Sequence, residues 1–298
     1  VEADEYDRSF LHLEPQIGAV LSMDPDHLDI YQRSEQVREA YIEFLGKTKS
    51  GGTVIMPAGS MKESEYENAL ALLGGDRNLE TFGIEQGEIR ASKIEVRNGK
   101  FCFEYTFDED KATFELPLPG RHNVLNALVA IRIASKVGIP LDQIKMSLAL
   151  FKGIKRRFEL IFQSGRCVYV DDYAHHPTEL AAAIGAAREL YPGRHLTGNL
   201  QPHLISRTRD CLDGFASELA KLDGLILLDI YPARESPILG VSSEALFAKV
   251  PLDDKVLLHK EQVLGWVEDH KVDVLMTLGA GDIDTLVPQI KEYLENDK

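Results

Sequence analysis

Basic residues are scarce in this chain. Against 48 Asp and Glu there are only 33 Lys and Arg, a net charge of −15. Such a surface does not suit broad contact with nucleic acid or an anionic membrane, both of which need a basic face. Cysteine is scarce too: Cys102, Cys167 and Cys211 are scattered thiols without metal-ligand spacing. That excludes a disulfide framework and favours a reducing, cytoplasmic setting. The sequence has no apolar run of the roughly eighteen residues a membrane span needs. Its first residues, VEADEYDRS, are acidic and unlike a secretion signal. A phosphate loop is also missing. Gly46-Lys47-Thr48 ends like one, but position 41 is Tyr where that loop needs Gly, and a helical pattern rather than a strand precedes it. Gly46 reads as a helix stop.

What is present is ordinary globular material: 298 residues, 44% hydrophobic and 27% charged, enough for two domains. The most informative stretch is VYVDDYAHHPTE, residues 168–179. Val168 and Val170 suit a buried strand. The strand ends in Asp171, Asp172, Tyr173, His175 and His176, and Pro177 opens a helix. Polar side chains at the carboxyl end of a strand, just before a helix, sit where α/β sheets bind ligands. Asp172 capping the turn and His176 satisfying the helix start is the plainer alternative.

Before that stretch, Ile17–Met23 (IGAVLSM) reads as a buried strand ending in DPDHLD. Glu2 and His27 at two successive acidic strand ends are candidate ligands of a divalent cation such as Mg²⁺, solvated loop acids being the alternative. Ser34–Leu45 has helical spacing, and Thr53–Met56 reads as a strand. Ile89–Arg97, Phe101–Phe107 and Ala112–Leu118 read as a small antiparallel sheet attached to the first domain, with Asn98-Gly99 as a hairpin turn. A helix follows from Pro119 onward, ended by Gly138 and barred from resuming by Pro140. Asn123 and Asn126 share a face of it, placed either to cap the helix or to read an adenine edge. FKGIKRRFE, residues 151–159, reads as the domain boundary. Its Lys155, Arg156 and Arg157 are either a solvated run or an anion site.

The remaining chain alternates strands and helices, which implies a mainly parallel sheet with right-handed crossovers. The strand at His195–Leu200 leads into QPHLISRTR, where His203 and Arg207, four apart, are expected on one helical face near the start of a helix running to Leu222. That is a receptor for a carboxylate or phosphate. Gly279-Ala280-Gly281-Asp282 is a strand-to-helix turn, weak as a dinucleotide fingerprint because position 284 is Asp; tight packing is the better reading.

Taken in order, EADE, SFLHL, DPDHLDIY, PGRHNVLNALVAI, GIKRRFE, DDYAHHPTE, QPHLISRTRD, DIYPARE and GAGD resemble the Mur ligases, which build the peptide stem of peptidoglycan. The resemblance covers essentially all 298 residues, and DDYAHHPTE with QPH and RT points to the member that adds L-alanine. It implies an α/β fold: the later part of a central ATPase domain over residues 1–153, then a Rossmann-like carboxy-terminal domain over residues 154–298. It also implies that the chain starts beyond the phosphate loop of a longer protein, and that alone it does not ligate.

The implied reaction joins L-alanine to the lactyl carboxylate of UDP-N-acetylmuramate at the expense of ATP and Mg²⁺, in the bacterial cytoplasm. The implied enzyme is a monomer or weak homodimer, with no nucleic acid and no membrane partner. By matching positions, Glu2 and His27 hold Mg²⁺, Asn126 reads adenine, Arg157 contacts the ATP phosphates and Asp172 binds the ribose. His175, His203 and Arg207 form the amino-acid pocket with Tyr173 nearby, and His175 orients the amine or accepts its proton. Leu204 departs from the Arg common at that position in the family, and Ala174 from a common Gly. Three alternatives remain at this point: a murein-peptide ligase adding a tripeptide, a metal-dependent phosphohydrolase using Asp171, Asp172, His175 and His176, and a non-catalytic nucleotide-binding module.

Overall fold

Two six-stranded sheets organise the chain, one in each of two units. The computed structural model describes residues 3–24, 31 and 33–296. One unit comprises Val1–Pro117 with His122–Phe151, the other Leu118–Arg121 with Lys152–Lys298. Among the described residues no helix is long and apolar enough to cross a membrane.

In the first unit the strand order is β1 (Ile17–Ala19), β2 (Thr53–Pro57), β3 (Asn78–Ile84), β4 (Ile89–Arg97), β5 (Lys100–Phe107) and β6 (Asp110–Leu116). The first four run parallel and the last pairs are antiparallel. The antiparallel strands therefore continue the parallel sheet rather than forming a separate attached one. Asn98 and Gly99 both have positive φ, 52° and 74°, the geometry of the expected tight hairpin. Only residues 85–88 link β3 to its parallel neighbour β4, far fewer than a crossover normally takes. Gly87 permits this: its φ is +80°, and a Cβ there would sit 3.0 Å from the backbone of Thr81 and Phe82.

Helices Ser34–Gly46 and Glu63–Leu73 pack against each other, and Val37, Phe44 and Leu45 of the first join Phe10, Tyr31, Val54 and Met56 in one core. The expected strand at Ile17–Met23 is only three residues long, although Val20 and Met23 are buried in that core. Helix Arg121–Lys136 buries Val124, Ala127, Leu128 and Ile131, a stripe at helical spacing. Gly138 ends it at φ +89°, but Pro140 does not bar a further helix. Its φ of −62° suits an N-cap, where no donor is lost from the helix interior, and Leu141–Ala149 is helical.

The second unit orders its strands β11-β10-β9-β12-β8-β7. β8 (Val168–Asp172), β9 (Leu196–Leu200), β10 (Gly224–Leu228), β11 (Lys255–Leu258) and β12 (Val274–Leu278) are parallel, and β7 (Glu159–Gln163) is an antiparallel edge. Both faces are covered. Val168, Val170, Leu196, Leu200, Leu225, Leu227, Val274 and Met276 face helices Pro177–Leu190, Leu212–Leu219 and Ser243–Lys249. The alternate residues Tyr169, Ile226, Leu228 and Leu275 face helices Val263–Asp269 and Val287–Asn296. This alternation is the period-two pattern of a strand read on a doubly covered sheet. The connections after β8, β9 and β10 leave toward the first face, and the one after β12, lying between β8 and β9, leaves toward the second. Adjacent strands whose connections part in this way open a crevice at their carboxyl ends, the switch point at which doubly wound sheets bind ligands.

Candidate functional site

The carboxyl ends of β8, β9, β10 and β12 deliver most of the residues singled out from the sequence. Asp172 closes β8 and is 8% exposed, and its two oxygens accept the backbone N–H groups of Phe158 (2.7 Å) and Ala174 (2.8 Å). Burial pushes its carboxyl up to about 6 against these two bonds. Asp172 therefore shapes the chain on both sides of β8. Truncating it would leave two buried donors unpaired at a cost of about 1–3 kcal/mol each, so its loss is not neutral for the fold.

Asp171 lies at 3.3 Å from Arg156 Nε, while Arg156 also reaches Asp284 (3.5 Å) and the Gly279 carbonyl. Of the two linker arginines, Arg156 is thus an internal tie. Arg157 remains half exposed above the Tyr173 ring, 5.4 Å from its centroid and 3.7 Å from Glu179.

His175 Nδ1 faces two acceptors, the Tyr173 carbonyl at 2.9 Å and Glu179 Oε2 at 3.1 Å. Two acceptors on one ring nitrogen put a proton there, so Nε2 is the nitrogen that exchanges the ring's second proton. The carboxylate is held in place in turn by the backbone N–H of His175 at 2.9 Å. Burial opposes its ionisation, but the hydrogen bond and charge of His175 outweigh this and bring Glu179 down to about 2. It is a fixed negative charge at neutral pH. Sequence reading missed Glu179, although its place one helical turn after His175 was the available signal.

The rings continue from there. Tyr173 meets His175 edge-on at 5.1 Å, His175 meets His203 edge-on at 5.8 Å, and His203 stacks on Tyr231 at 5.8 Å and 11°. Burial, with the charges of His175 and Arg207 nearby, depresses His203 to about 4. Its Nδ1 is buried without a hydrogen-bond partner among the described residues.

His203 and Arg207 do not share a helical face as their spacing suggested. The helix starts only at Ile205, is interrupted at Cys211, and resumes as Leu212–Leu219. Leu204 between His203 and the helix has φ +70°, a backbone region costly for any residue but glycine. His203 thus precedes the helix, while Arg207 lies within it. Asp210 pairs with Arg209 and Glu218 with Lys221.

Gly279 and Gly281 serve close packing. A Cβ on Gly279 would lie 2.6 Å from the Gln201 carbonyl, and one on Gly281 would lie 2.8 Å from Tyr231 Cβ. Gln201 spans this turn, donating to Asp282 and accepting from the Ile283 N–H. Asn126 is exposed on its helix and belongs to the first unit. Glu2 and His27 lie outside the described residues. Among the described residues, no three His, Cys, Asp or Glu side chains converge as metal ligands. Asp171, Asp172, His175 and His176 are each turned to a different partner, the last accepting the Thr178 N–H. A metallophosphohydrolase centre is not built from them.

A doubly wound sheet with cations, imidazoles and bound carboxylates at its switch point defines an α/β unit, and the other unit is built on a second, mixed sheet. Two family models match these units, the Mur ligase middle domain over residues 2–134 and the Mur ligase, glutamate ligase domain over residues 156–282. The chain belongs to the Mur ligase family. It is 41% identical over 295 residues to the UDP-N-acetylmuramate–L-alanine ligase of Flavobacterium johnsoniae, an alignment covering 99% of this chain and 63% of that protein. The chain thus spans less than two thirds of the length of this relative. Among solved structures, a UDP-N-acetylmuramate–alanine ligase from Thermotoga maritima matches with a TM-score of 0.79 at 21% identity, over 100% of this chain and 64% of that one. The MurF ligase of the same organism in complex with ADP matches with a TM-score of 0.74 at 18% identity, over 95% of this chain and 63% of that one. At these identities the structures bear on the fold alone.

Proposed function

We propose that the whole protein joins L-alanine to the lactyl carboxylate of UDP-N-acetylmuramate, converting ATP to ADP and phosphate. The observation that carries this reading is the 41% identity to a UDP-N-acetylmuramate–L-alanine ligase along nearly the entire chain. The crevice supports it, because it gathers a half-exposed guanidinium and two imidazoles of unlike character. We assign residues 1–153 to the central nucleotide domain and residues 154–298 to the domain that receives the amino acid.

In this reading the muramyl carboxylate attacks the ATP γ-phosphorus, ADP leaves, and an acyl phosphate forms. The alanine amine attacks its carbonyl carbon, and the tetrahedral intermediate collapses with loss of phosphate. Such steps need positive charge and positioning more than covalent help from the protein. Arg157 meets the phosphates, Asn126 meets the adenine, and Asp172 and Tyr173 border the ribose. Arg207 holds the alanine carboxylate in two parallel hydrogen bonds. His175, its Nδ1 proton held by Tyr173 and Glu179, takes a proton from the amine at Nε2. Glu2 and His27 are the proposed Mg²⁺ ligands, and Mg²⁺ would supply charge neutralisation at the phosphates.

The test is ligation by the whole protein with Arg207→Lys beside the wild type. The ammonium cannot reproduce the two-point grip, so the KM for L-alanine is expected to rise about tenfold or more with that for ATP nearly unchanged. Equal rises for both substrates would remove Arg207 from the amino-acid site. ADP release that needs neither L-alanine nor UDP-N-acetylmuramate would overturn the reaction.

A further inference from the structure

The row of rings in the crevice ends in Tyr231, a side chain with no part in the proposed reaction. It follows β10 and is joined to the segment after β9 by two backbone bonds: its N–H donates to the Pro202 carbonyl at 2.8 Å, and its carbonyl accepts the Leu204 N–H at 3.0 Å. These bonds clasp the chain on either side of His203. They hold Leu204 in its costly left-handed conformation, while Glu235, four residues beyond Tyr231, accepts from both the N–H and the hydroxyl of Ser206.

The Tyr231 ring runs nearly parallel to the His203 ring and offset from it, with an interplanar angle of 11° and centroids 5.8 Å apart. His175 meets His203 edge-on, at 80°. Room for the tyrosine comes from Gly281, whose missing Cβ would have stood 2.8 and 2.9 Å from Tyr231 Cβ and Cγ. The His203 imidazole is therefore fixed by one stacked ring and one edge-on ring, and its Nδ1 is buried with no partner among the described residues. A buried polar atom without a partner costs free energy unless a ligand supplies one.

We propose that Tyr231 is the positioning residue of the amino-acid pocket, holding the His203 ring in the orientation in which it meets the incoming amino acid. This rests on the reading that His203 lies in that pocket. Burial of the imidazole fits the role, since a ring kept neutral retains a lone pair to accept an N–H.

The experiment compares Tyr231→Leu, Tyr231→Phe and His203→Ala in ligation by the whole protein, and follows the His203 imidazole by NMR titration. Loss of the stacked ring is expected to raise the KM for L-alanine about fivefold to tenfold, with that for ATP unchanged. Phenylalanine keeps the stack and is expected to restore wild-type kinetics. In Tyr231→Leu the imidazole, opened to water, is expected to titrate higher than in the wild type. The backbone clasp does not depend on the side chain. Should the leucine variant nevertheless misfold, Tyr231→Met, which keeps bulk but lacks a ring, is expected to give the same rise. If His203→Ala raises the KM for L-alanine while neither Tyr231→Leu nor Tyr231→Met does, the inference fails and the pocket stands. If His203→Ala itself leaves that KM unchanged, the pocket assignment fails, and the inference with it.

Discussion

Buried polar side chains are treated differently in the two units. In the first, Glu80 on β3 is 7% exposed and receives two 2.6 Å hydrogen bonds from Arg132 and one of 2.9 Å from Lys136. Arg132 lies in turn over the Phe107 ring, 3.6 Å from its centroid. Apart from the Thr48 hydroxyl, no buried side-chain nitrogen or oxygen of that unit's described residues is left without a partner. In the second unit Arg156, Asp171, Asn199 and His203 all carry buried atoms without one, and the last three lie at or near the carboxyl end of β8 or β9. Saturated polar groups lock a fold. Unsaturated ones mark where a fold is left open for water or a ligand. The contrast between clamp and crevice can be broken by mutation.

The largest effect is expected at the clamp. Arg132→Met leaves Glu80 buried with Lys136 alone, and should lower the stability of the first unit by about 3 kcal/mol, the cost of breaking a buried pair from one side. Urea denaturation at neutral pH would measure it. Burial works against the Glu80 charge, yet the Arg132 and Lys136 hydrogen bonds hold its carboxyl below the usual 4.5. A carboxyl depressed in the folded state contributes stability above 4.5 that is lost as the pH falls through the depressed value. The deficit of Arg132→Met should therefore be full at neutral pH and shrink under acid. A pH-independent deficit would mean that lost packing on Phe107, not charge, is responsible.

In the crevice the corresponding change should affect catalysis more than folding. Glu179→Ala removes the carboxylate that orients His175, and kcat of the whole protein is expected to fall about tenfold to a hundredfold, as when an outer partner of a working histidine is lost. Glu179→Gln keeps an oxygen for the Nδ1 proton and should fall less. Equal losses for the two variants would make the charge, rather than the orientation, the important property. A large drop in melting temperature for either would class Glu179 with the clamp.

How much of this was legible beforehand follows the same division. Local signals were enough for β4 and the Asn98-Gly99 turn, each matching its expected extent or geometry. The strand ends of the second unit were legible as well, because carboxylates and histidines interrupt apolar runs there. β3 was not recognised as a strand: NLETFGI puts a glutamate in a buried strand, and only Arg132 and Lys136, more than fifty residues later, make that tolerable. Helix Leu141–Ala149 was hidden by reading Pro140 as a barrier rather than a cap. A shared helical face for His203 and Arg207 was expected, but the helix starts only after His203. A left-handed Leu204 cannot be read from spacing, since leucine adopts it only when tertiary contacts such as the Tyr231 carbonyl enforce it. Tyr231 left only a weak trace, an aromatic residue closing a strand.

The smallest expected effect tests the contrast most closely. Asn199 lies in the middle of the second sheet, fully buried, with neither amide atom bonded to the protein among the described residues. It is in register with Thr277 on β12, which is itself in register with Asp171 on β8, so the three form one polar row across adjacent strands. Thr277 is satisfied by the Tyr169 hydroxyl at 2.7 Å, but Asn199 and one oxygen of Asp171 are not. If the row is dry, Asn199 costs stability. Asn199→Val, β-branched and suited to a central strand, should then be neutral or stabilising by about 1 kcal/mol. If ordered water fills the row from the crevice, valine strands that water against Asp171, and the variant should lose about 1–3 kcal/mol instead. Chemical denaturation of the 298-residue chain separates the two by sign. A loss would extend the open region of the crevice inward along β9. A gain would confine it to the strand ends, where the imidazoles stand, and leave Asn199 as a polar residue that the sheet tolerates rather than uses.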